Sequence, residues 1–219
     1  MTKKFFLSVT TGLAIVSLSS FAYANSYNFE TGAPAEITGG TVTSTGGYSA
    51  HGFGQYFNWS GGRAITLNLS SLGSHTTLDL EFDLAVIDSW DGSVTSVAPD
   101  NFNVTLDGNS VFLETFDNFT TTDQSYTGSP VTYGSNIYKS GWNDSAYHIS
   151  LTGLTHSADS LTIAWFANGS GWQGGNDESF AVDNINVNTN NAPVPEPATM
   201  LLFGTGLAGF AGLRSRKKK

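Results

Sequence analysis

Apolar and polar residues alternate strictly along residues 78–86, where the periodicity of the chain is clearest. A period of two residues predicts a β-strand with an apolar face and a polar face. The polar face carries three carboxylates, and the apolar face carries Leu78, Leu80, Phe82, Leu84 and Val86. Two further apolar runs, 102–106 and 110–113, flank Asp107-Gly108. This dipeptide predicts a tight hairpin because glycine accepts the positive φ of a type I′ turn.

Short segments with similar character follow one another between clusters of Gly, Asn, Asp and Ser, and no segment has helical periodicity. The remaining predicted strands are 27–30, 41–44, 55–59, 64–69, 147–151, 160–166 and 180–187. Ten or so short strands with frequent turns predict an all-β fold. We expect an antiparallel β-sandwich, with the jelly roll as the favoured arrangement.

The first 24 residues have the pattern of a secretory signal peptide. Lys3-Lys4 is followed by the apolar run Phe5–Leu18 and by Ala22-Tyr23-Ala24, after which we expect cleavage. The β-sandwich domain is predicted at 25–187, and a polar linker at 188–194.

The C-terminal tail has three parts in a fixed order. Pro195-Glu196-Pro197 is followed by an apolar segment at 198–213 and a basic end at 214–219. The apolar segment is shorter than the ~20 residues of a stable transmembrane helix, and its glycines lower its helix propensity. The basic residues favour the cytoplasmic side of a membrane.

Residues 195–219 resemble the PEP-CTERM sorting signal of Gram-negative bacteria, in which the same three parts form one unit. The resemblance implies insertion of the apolar segment into the membrane, followed by processing by an exosortase-type peptidase that recognises Pro195, Glu196 and Pro197. It also implies export to the cell surface or extracellular matrix of a cell that makes exopolysaccharide and biofilm. The alternative is an ordinary C-terminal membrane anchor.

Charge and cysteine content exclude several functions. Of the 9 basic residues, only Arg63 and Lys139 lie between the signal peptide and the tail, whereas every acidic residue except Glu196 lies there. Such a domain lacks the cations that phosphate contacts require, which excludes nucleic-acid binding. Its acidity suits Ca²⁺, although solubility alone also explains it. The absence of cysteine excludes thiolate metal sites and thiol catalysis.

Two segments at the ends of the domain predict a calcium site. The alternation of 180–187 fails between Val182 and Ile185, which predicts a β-bulge at Asp183-Asn184. Glu30 is predicted at the end of the first strand. These segments resemble the first and last strands of jelly-roll carbohydrate-binding modules and MAM-type adhesion domains. The resemblance implies a structural Ca²⁺ held by Glu30 and Asp183, and the alternative is a turn capped by Asp183 and Asn184.

A second group of acidic residues lies in two loops, as Asp88, Asp91, Asp177 and Glu178. If the loops meet at one end of the sandwich, these residues hold a second cation, and otherwise they are solvated loop residues. Their surroundings are similar to uncharacterised extracellular jelly-roll domains with an Asp-Ser-Trp-Asp-Gly segment, a resemblance that implies no activity.

Tryptophans are concentrated in polar stretches of the chain. Aromatic rings stack on sugar rings, so Trp90, Trp142 and Trp172 are predicted to bind a saccharide; the alternative is that they belong to the core.

We therefore expect a non-enzymatic surface or matrix protein, with extracellular polysaccharide as a partner. The alternatives are a polysaccharide-modifying enzyme, such as a glycosidase or lyase on the same sandwich, and a purely structural matrix protein. No catalytic residue is assigned because carboxylate pairs are too frequent to single one out, and the four histidines lack metal-ligand spacing.

Overall fold

A computed structural model describes residues 23–190 of the chain, apart from 45, 60, 63, 94–98, 121, 139–140 and 176. Most of the predicted signal peptide, the Pro195-Glu196-Pro197 motif and the apolar segment 198–213 therefore lie outside the described residues. Within the part that is described, no helix has the length and apolar character needed to cross a bilayer.

The described residues form twelve strands and one short 3₁₀ helix at Gly47–His51. The strands are β1 Ala24–Tyr27, β2 Ile37–Thr38, β3 Gly40–Thr43, β4 Tyr56–Trp59, β5 Ile65–Ser70, β6 Thr77–Asp88, β7 Asn101–Leu106, β8 Asn109–Thr115, β9 Thr132–Ser135, β10 Asn143–Thr155, β11 Ser160–Asn168 and β12 Glu178–Asn190.

The strands form two antiparallel sheets. The larger sheet has the order β3-β4-β12-β6-β10-β9, with β1 paired to the later part of β12, and the smaller has the order β2-β5-β11-β7-β8. The chain crosses repeatedly from one sheet to the other, as in a jelly roll. The prediction of an all-β antiparallel sandwich is confirmed.

The main core lies between the two sheets. Phe82 of β6 contacts Trp165 of β11 and Phe102 of β7, with ring centroids 5.8 and 6.4 Å apart. All three side chains are fully buried. The strict alternation of β6 thus places its apolar face against the smaller sheet, as predicted.

A second, smaller core covers part of the opposite face of the larger sheet. Tyr48, in the 3₁₀ helix, is fully buried there with Phe53 and Tyr56, and its hydroxyl donates to the carbonyl oxygen of Val86 at 3.2 Å. Burial raises the pKa of the Tyr48 hydroxyl well above its usual value. This face accepts a covering layer because β6 places Ala85 and Ile87, rather than carboxylates, beneath it.

The observed strands test several of the local predictions. Asp107 and Gly108 have φ values of 49° and 81°, as a type I′ hairpin between β7 and β8 requires. The pairing of β12 with β6 shifts register between Asp183 and Asn186, which confirms the predicted bulge. The strands β2 and β9 have no counterpart among the predicted elements.

Predicted boundaries at both ends of the domain are wrong. The first strand ends at Tyr27 instead of reaching Glu30, because Phe29 has a φ of 57° and starts a turn. In this turn the N–H of Gly32 donates to the carbonyl oxygen of Phe29 at 2.9 Å. Residues 188–190, predicted as linker, continue β12. They do so because β12 pairs with β1 and β6 as far as Asn188 and Asn190 respectively.

Candidate binding cleft and carboxylate cluster

A cleft of about 530 Å³ opens beside the loop that joins β11 to β12. Its wall combines aromatic rings, glycines and small residues, and Gln173 supplies its one polar side chain among the described residues. The lining residues are Trp59, Gly61, Gly62, Ala64, Phe166, Ala167, Trp172, Gln173, Gly174 and Gly175.

Two half-buried indoles dominate this cleft. Trp59 ends β4 and Trp172 lies in the β11–β12 loop, with their ring centroids 5.7 Å apart and inclined at 61°. Trp59 also stacks on Phe180 at 5.8 Å. Gly174 has a φ of 66°, and a Cβ there would lie 3.3 Å from Trp59 and 3.4 Å from Trp172. A side chain at residue 174 would therefore crowd both rings.

The structure separates the three predicted saccharide-binding tryptophans. Trp172 lines the cleft, whereas Trp142 is 52% exposed and lies outside it. Trp90 is fully buried, and its indole N–H donates to the carbonyl oxygen of Ser179 at 2.8 Å. The assignment of Trp90 as a stacking residue is thus wrong, because no face of its ring is accessible. Trp59, which was not among the three, lines the cleft beside Trp172.

Three carboxylates from separate segments converge near this loop. Asp91 follows β6, Asp100 immediately precedes β7 and Glu178 begins β12, and one oxygen of each lies within 4.8 Å of the others. The N–H of Asp91 donates to Asp100 Oδ2 at 2.7 Å, and the N–H of Gln173 donates to Glu178 Oε2 at 2.5 Å. We refer to Asp91, Asp100 and Glu178 as the carboxylate cluster.

The interior of the carboxylate cluster is shielded from water. Asp100 and Glu178 have no exposed surface, and Asp100 Oδ1 and Glu178 Oε1 are buried without a hydrogen-bond partner. Burial raises the pKa of Asp100 to about 6 and that of Glu178 to about 7. The pKa of Asp91 is also raised, first by burial and then by the neighbouring charges of Asp117 and Asp177.

The carboxylate cluster contains only two of the four residues predicted for a second cation, Asp91 and Glu178. Asp88 has a φ of 66°, and its N–H donates to Asp144 Oδ1 at 3.0 Å. Asp177 accepts a hydrogen bond from Ser89 Oγ at its backbone carbonyl, at 3.0 Å. Neither belongs to the group of three. Asp100, the missing member, stands directly before a strand, where the alternation of apolar residues gives no signal.

Glu30 and Asp183 lie in a common neighbourhood at the β12 bulge. Asp183 is buried, and its Oδ2 has no hydrogen-bond partner. Burial raises the pKa of Asp183 to about 7, the N–H of Asn184 lowers it, and the charges of Asp83 and Glu30 raise it further. Glu30 itself is exposed and accepts the N–H of Gln55 at 2.8 Å. The two residues predicted to hold Ca²⁺ are thus neighbours, with Asp83 as an additional carboxylate.

A third polar group consists of two buried histidines. His75 Nδ1 lies 2.8 Å from the carbonyl oxygen of Gly73, and His75 Nε2 lies 2.7 Å from His156 Nδ1. His156 Nε2 lies 3.1 Å from Asp107 Oδ2. Every ring nitrogen in this histidine chain, defined as His75, His156 and Asp107, therefore has a partner.

Comparison with known proteins concerns first the tail. Residues 193–217 match the PEP-CTERM protein-sorting motif. This chain therefore carries a sorting signal, which confirms the interpretation of the tail and indicates export to the cell surface or beyond. A comparison with curated proteins finds no match for the chain.

Solved structures resemble this chain only distantly. It is similar to a family 35 carbohydrate-binding module from Clostridium thermocellum, with 17% identity over 78% of this chain and 99% of that one and a TM-score of 0.35. The CBM22-1 xylan-binding domain of Paenibacillus barcinonensis Xyn10C gives 13% identity, coverages of 80% and 99% and a TM-score of 0.36. The GH115 4-O-methyl-α-glucuronidase BtGH115A gives 15% identity over 83% of this chain and a TM-score of 0.39. The chain spans 19% of the length of that enzyme, and similarity at this level carries no argument about function.

Proposed function

We propose that this chain is an exported, non-enzymatic surface or matrix protein whose β-sandwich binds a saccharide in the cleft lined by Trp59 and Trp172. The observation that carries the proposal is the pairing of two half-buried indoles in a cavity of about 530 Å³. Ligand pockets for small molecules have volumes of roughly 300–1,000 Å³. The cleft is therefore large enough for a short stretch of sugar rings.

The chemistry of the lining favours an uncharged saccharide. The apolar faces of sugar rings stack on indoles, while sugar hydroxyls need directional hydrogen-bond partners. Gln173 and the backbone of the glycines on either side of the cleft supply such partners. The described lining residues include no charged side chain, and the proposal is therefore for an uncharged saccharide.

The position of the acidic residues supports the non-enzymatic assignment. Glycoside hydrolysis needs two carboxyl groups on either side of the scissile bond. The described residues of the cleft wall include no carboxylate, and Asp100 and Glu178, whose pKa values are raised, have no exposed surface. A saccharide bound against the two indoles would therefore not contact Asp100 or Glu178.

Binding to a glycan array, followed by titration with the oligosaccharides retained, tests this function. Trp59→Ala and Trp172→Ala should each weaken binding at least about tenfold, which corresponds to about 1.4 kcal/mol. The matched control is Trp142→Ala, which removes an exposed indole outside the cleft and should leave affinity unchanged.

A hydrolysis assay on the same glycans distinguishes the alternatives. Released oligosaccharide would contradict the non-enzymatic assignment and favour a polysaccharide-modifying enzyme. Absence of both binding and turnover would leave a structural matrix protein.

We also propose that an exosortase-type peptidase of a Gram-negative cell removes the tail after recognising Pro195, Glu196 and Pro197. The match at 193–217 supports this step. Glu196→Ala should leave a longer, membrane-retained product on an immunoblot of cell fractions, while the conservative change Glu36→Asp in the sandwich should not. Normal processing of the Glu196→Ala chain would contradict the proposal.

We propose, finally, that Ca²⁺ binds between Glu30 and Asp183. The buried Asp183 Oδ2 without a partner supports it, and Ca²⁺ would supply the charge that this neighbourhood lacks. Glu30→Ala and Asp183→Ala should reduce the rise in melting temperature that millimolar Ca²⁺ produces over EDTA. Responses equal to that of the wild type would contradict this site.

A further inference from the structure

The carboxylate cluster contains buried negative charge that neither the saccharide cleft nor the Glu30–Asp183 pair explains. Asp100 and Glu178 are fully buried, and each satisfies only one of its two oxygens with backbone N–H groups. The other oxygens, Asp100 Oδ1 and Glu178 Oε1, have no partner. A buried polar atom without a hydrogen-bond partner is unfavourable and rare. Two such oxygen atoms in one cluster therefore indicate that a ligand binds there.

The protein itself offers no compensating charge among the described residues. Every lysine and arginine of the chain falls outside that part, and between signal peptide and tail only Arg63 and Lys139 exist. Further negative charge surrounds the cluster, since Asp117 and Asp177 both raise the pKa of Asp91. Bound protons or a bound cation would neutralise this charge.

The spacing of the donors favours a cation. The oxygens from Asp91, Asp100 and Glu178 lie within 4.8 Å of one another. Oxygens bound to one Ca²⁺ at roughly 2.3–2.6 Å are separated by no more than about 5 Å. The group contains carboxylate oxygens alone, without histidine or cysteine, and such donors suit hard cations rather than Zn²⁺.

We propose that Asp91, Asp100 and Glu178 bind a hard divalent cation of the Ca²⁺ type, at a site separate from Glu30 and Asp183. Asp91 and Asp100 lie in the connection from β6 to β7 and Glu178 begins β12, so the ion would connect the β6–β7 region to the start of β12. Carboxylates supply part of its coordination, and backbone carbonyls or water supply the remainder.

The site is coupled to the cleft through the backbone of the β11–β12 loop. Glu178 Oε2 accepts the N–H groups of Gln173 and Gly174, at 2.5 and 3.4 Å, and both residues line the cleft. On the other side, the carbonyl oxygen of Pro99, next to Asp100, accepts the N–H of Gly171 at 3.4 Å. An ion that holds Asp100 and Glu178 therefore holds the loop that carries Trp172. This coupling rests on the proposed saccharide function, whereas the metal site does not.

Calorimetric titration of the full chain with Ca²⁺, after removal of metals by EDTA, tests the site. Asp100→Asn and Glu178→Gln should each weaken binding at this site at least tenfold. Glu36→Gln removes one exposed carboxylate elsewhere and should bind as the wild type does. Asp183→Asn should remove only the other proposed site, which leaves a binding step that Glu178→Gln abolishes.

Melting curves distinguish a variant that has lost the metal site from a variant that fails to fold. In EDTA, Asp100→Asn and Glu178→Gln should melt no lower than the wild type, because each removes a buried charge without changing shape. In millimolar Ca²⁺ they should lose most of the rise in melting temperature that the wild type shows. A wild type without a Ca²⁺-dependent rise, or variants that respond fully, would overturn the metal site. So would a Ca²⁺ response that disappears entirely in Asp183→Asn.

Saccharide affinity measured in Ca²⁺ and in EDTA tests the coupling separately. We expect affinity to fall several-fold in EDTA for the wild type and to be unaffected by EDTA in Glu178→Gln. Equal wild-type affinity in both conditions would overturn the coupling. If the wild type binds no saccharide at all while Ca²⁺ still binds, the proposed function fails and the metal site stands.

Discussion

The carboxylate cluster and the histidine chain both place polar atoms in the interior of an apolar sandwich, but they differ in whether those atoms have hydrogen-bond partners. In the histidine chain each ring nitrogen has a partner, from Gly73 through His75 and His156 to Asp107. In the carboxylate cluster two buried oxygens have none. A completed network stabilises a fold by itself, whereas an incomplete one gains stability when something binds.

Hydrogen-bond directions in the histidine chain show how it is completed. The carbonyl oxygen of Gly73 and the carboxylate of Asp107 only accept hydrogen bonds, so His75 Nδ1 and His156 Nε2 donate to them. His75 Nε2 and His156 Nδ1 share the hydrogen bond between the two rings. The network therefore ends on an acceptor at each side, and no ring nitrogen lacks a partner.

The largest expected effect follows from breaking the completed network. His156→Ala removes the central ring and leaves His75 Nε2 buried without its partner. We expect a loss of about 2–3 kcal/mol in the free energy of unfolding. This corresponds to roughly 5–10 °C in melting temperature. Chemical denaturation in Ca²⁺ and in EDTA should give the same loss, and a loss seen only in EDTA would contradict the structural role.

A second effect, which unlike that of His156→Ala depends on whether Ca²⁺ is present, is expected from pH. The folded pKa values of Glu178, about 7 instead of 4.5, and Asp100, about 6 instead of 3.8, exceed the unfolded ones. Between these values the folded chain binds more protons than the unfolded chain, so stability falls as pH rises from ~4 to ~7. In EDTA the melting temperature should fall as the pH rises from ~5 to ~8.

The pH prediction can be tested further by adding Ca²⁺ and by substituting the two carboxylates. The rise in melting temperature caused by Ca²⁺ should be larger at the higher pH, because the ligands must be ionised to bind it. The double variant Asp100→Asn with Glu178→Gln should lose the part of the pH dependence that these two residues supply and keep the part supplied by Asp183, whose pKa is also raised to about 7. An undiminished pH dependence in the double variant would contradict the assignment.

The smallest effect is expected at the exposed end of the histidine chain. Asp107→Asn retains an acceptor for His156 and for the N–H of Thr162, and Asn-Gly forms the same type I′ turn. It loses the charge opposite His156. We expect a destabilisation of no more than about 1 kcal/mol, independent of Ca²⁺, as measured by urea denaturation. A loss as large as that of His156→Ala would contradict this account.

The sequence alone predicted features that depend on near neighbours. The alternation of 78–86, the Asp107-Gly108 hairpin and the bulge after Asp183 all appear where they were expected. Each depends on the side-chain period or the φ preference of a few consecutive residues. The sorting motif is likewise a local signal, because it is recognised as a linear order of residues.

The tertiary structure decided which residues share a site. Asp100 lies close to Asp91 and Glu178 because the end of β6, the start of β7 and the start of β12 are neighbours in space. No pattern within a short stretch of sequence shows that these three residues are close. Trp90 and Trp172 both lie among polar residues in the sequence, yet Trp90 is buried whereas Trp172 lines the cleft. Burial depends on which loops cover a residue, and that follows from the packing of two sheets rather than from neighbours in sequence.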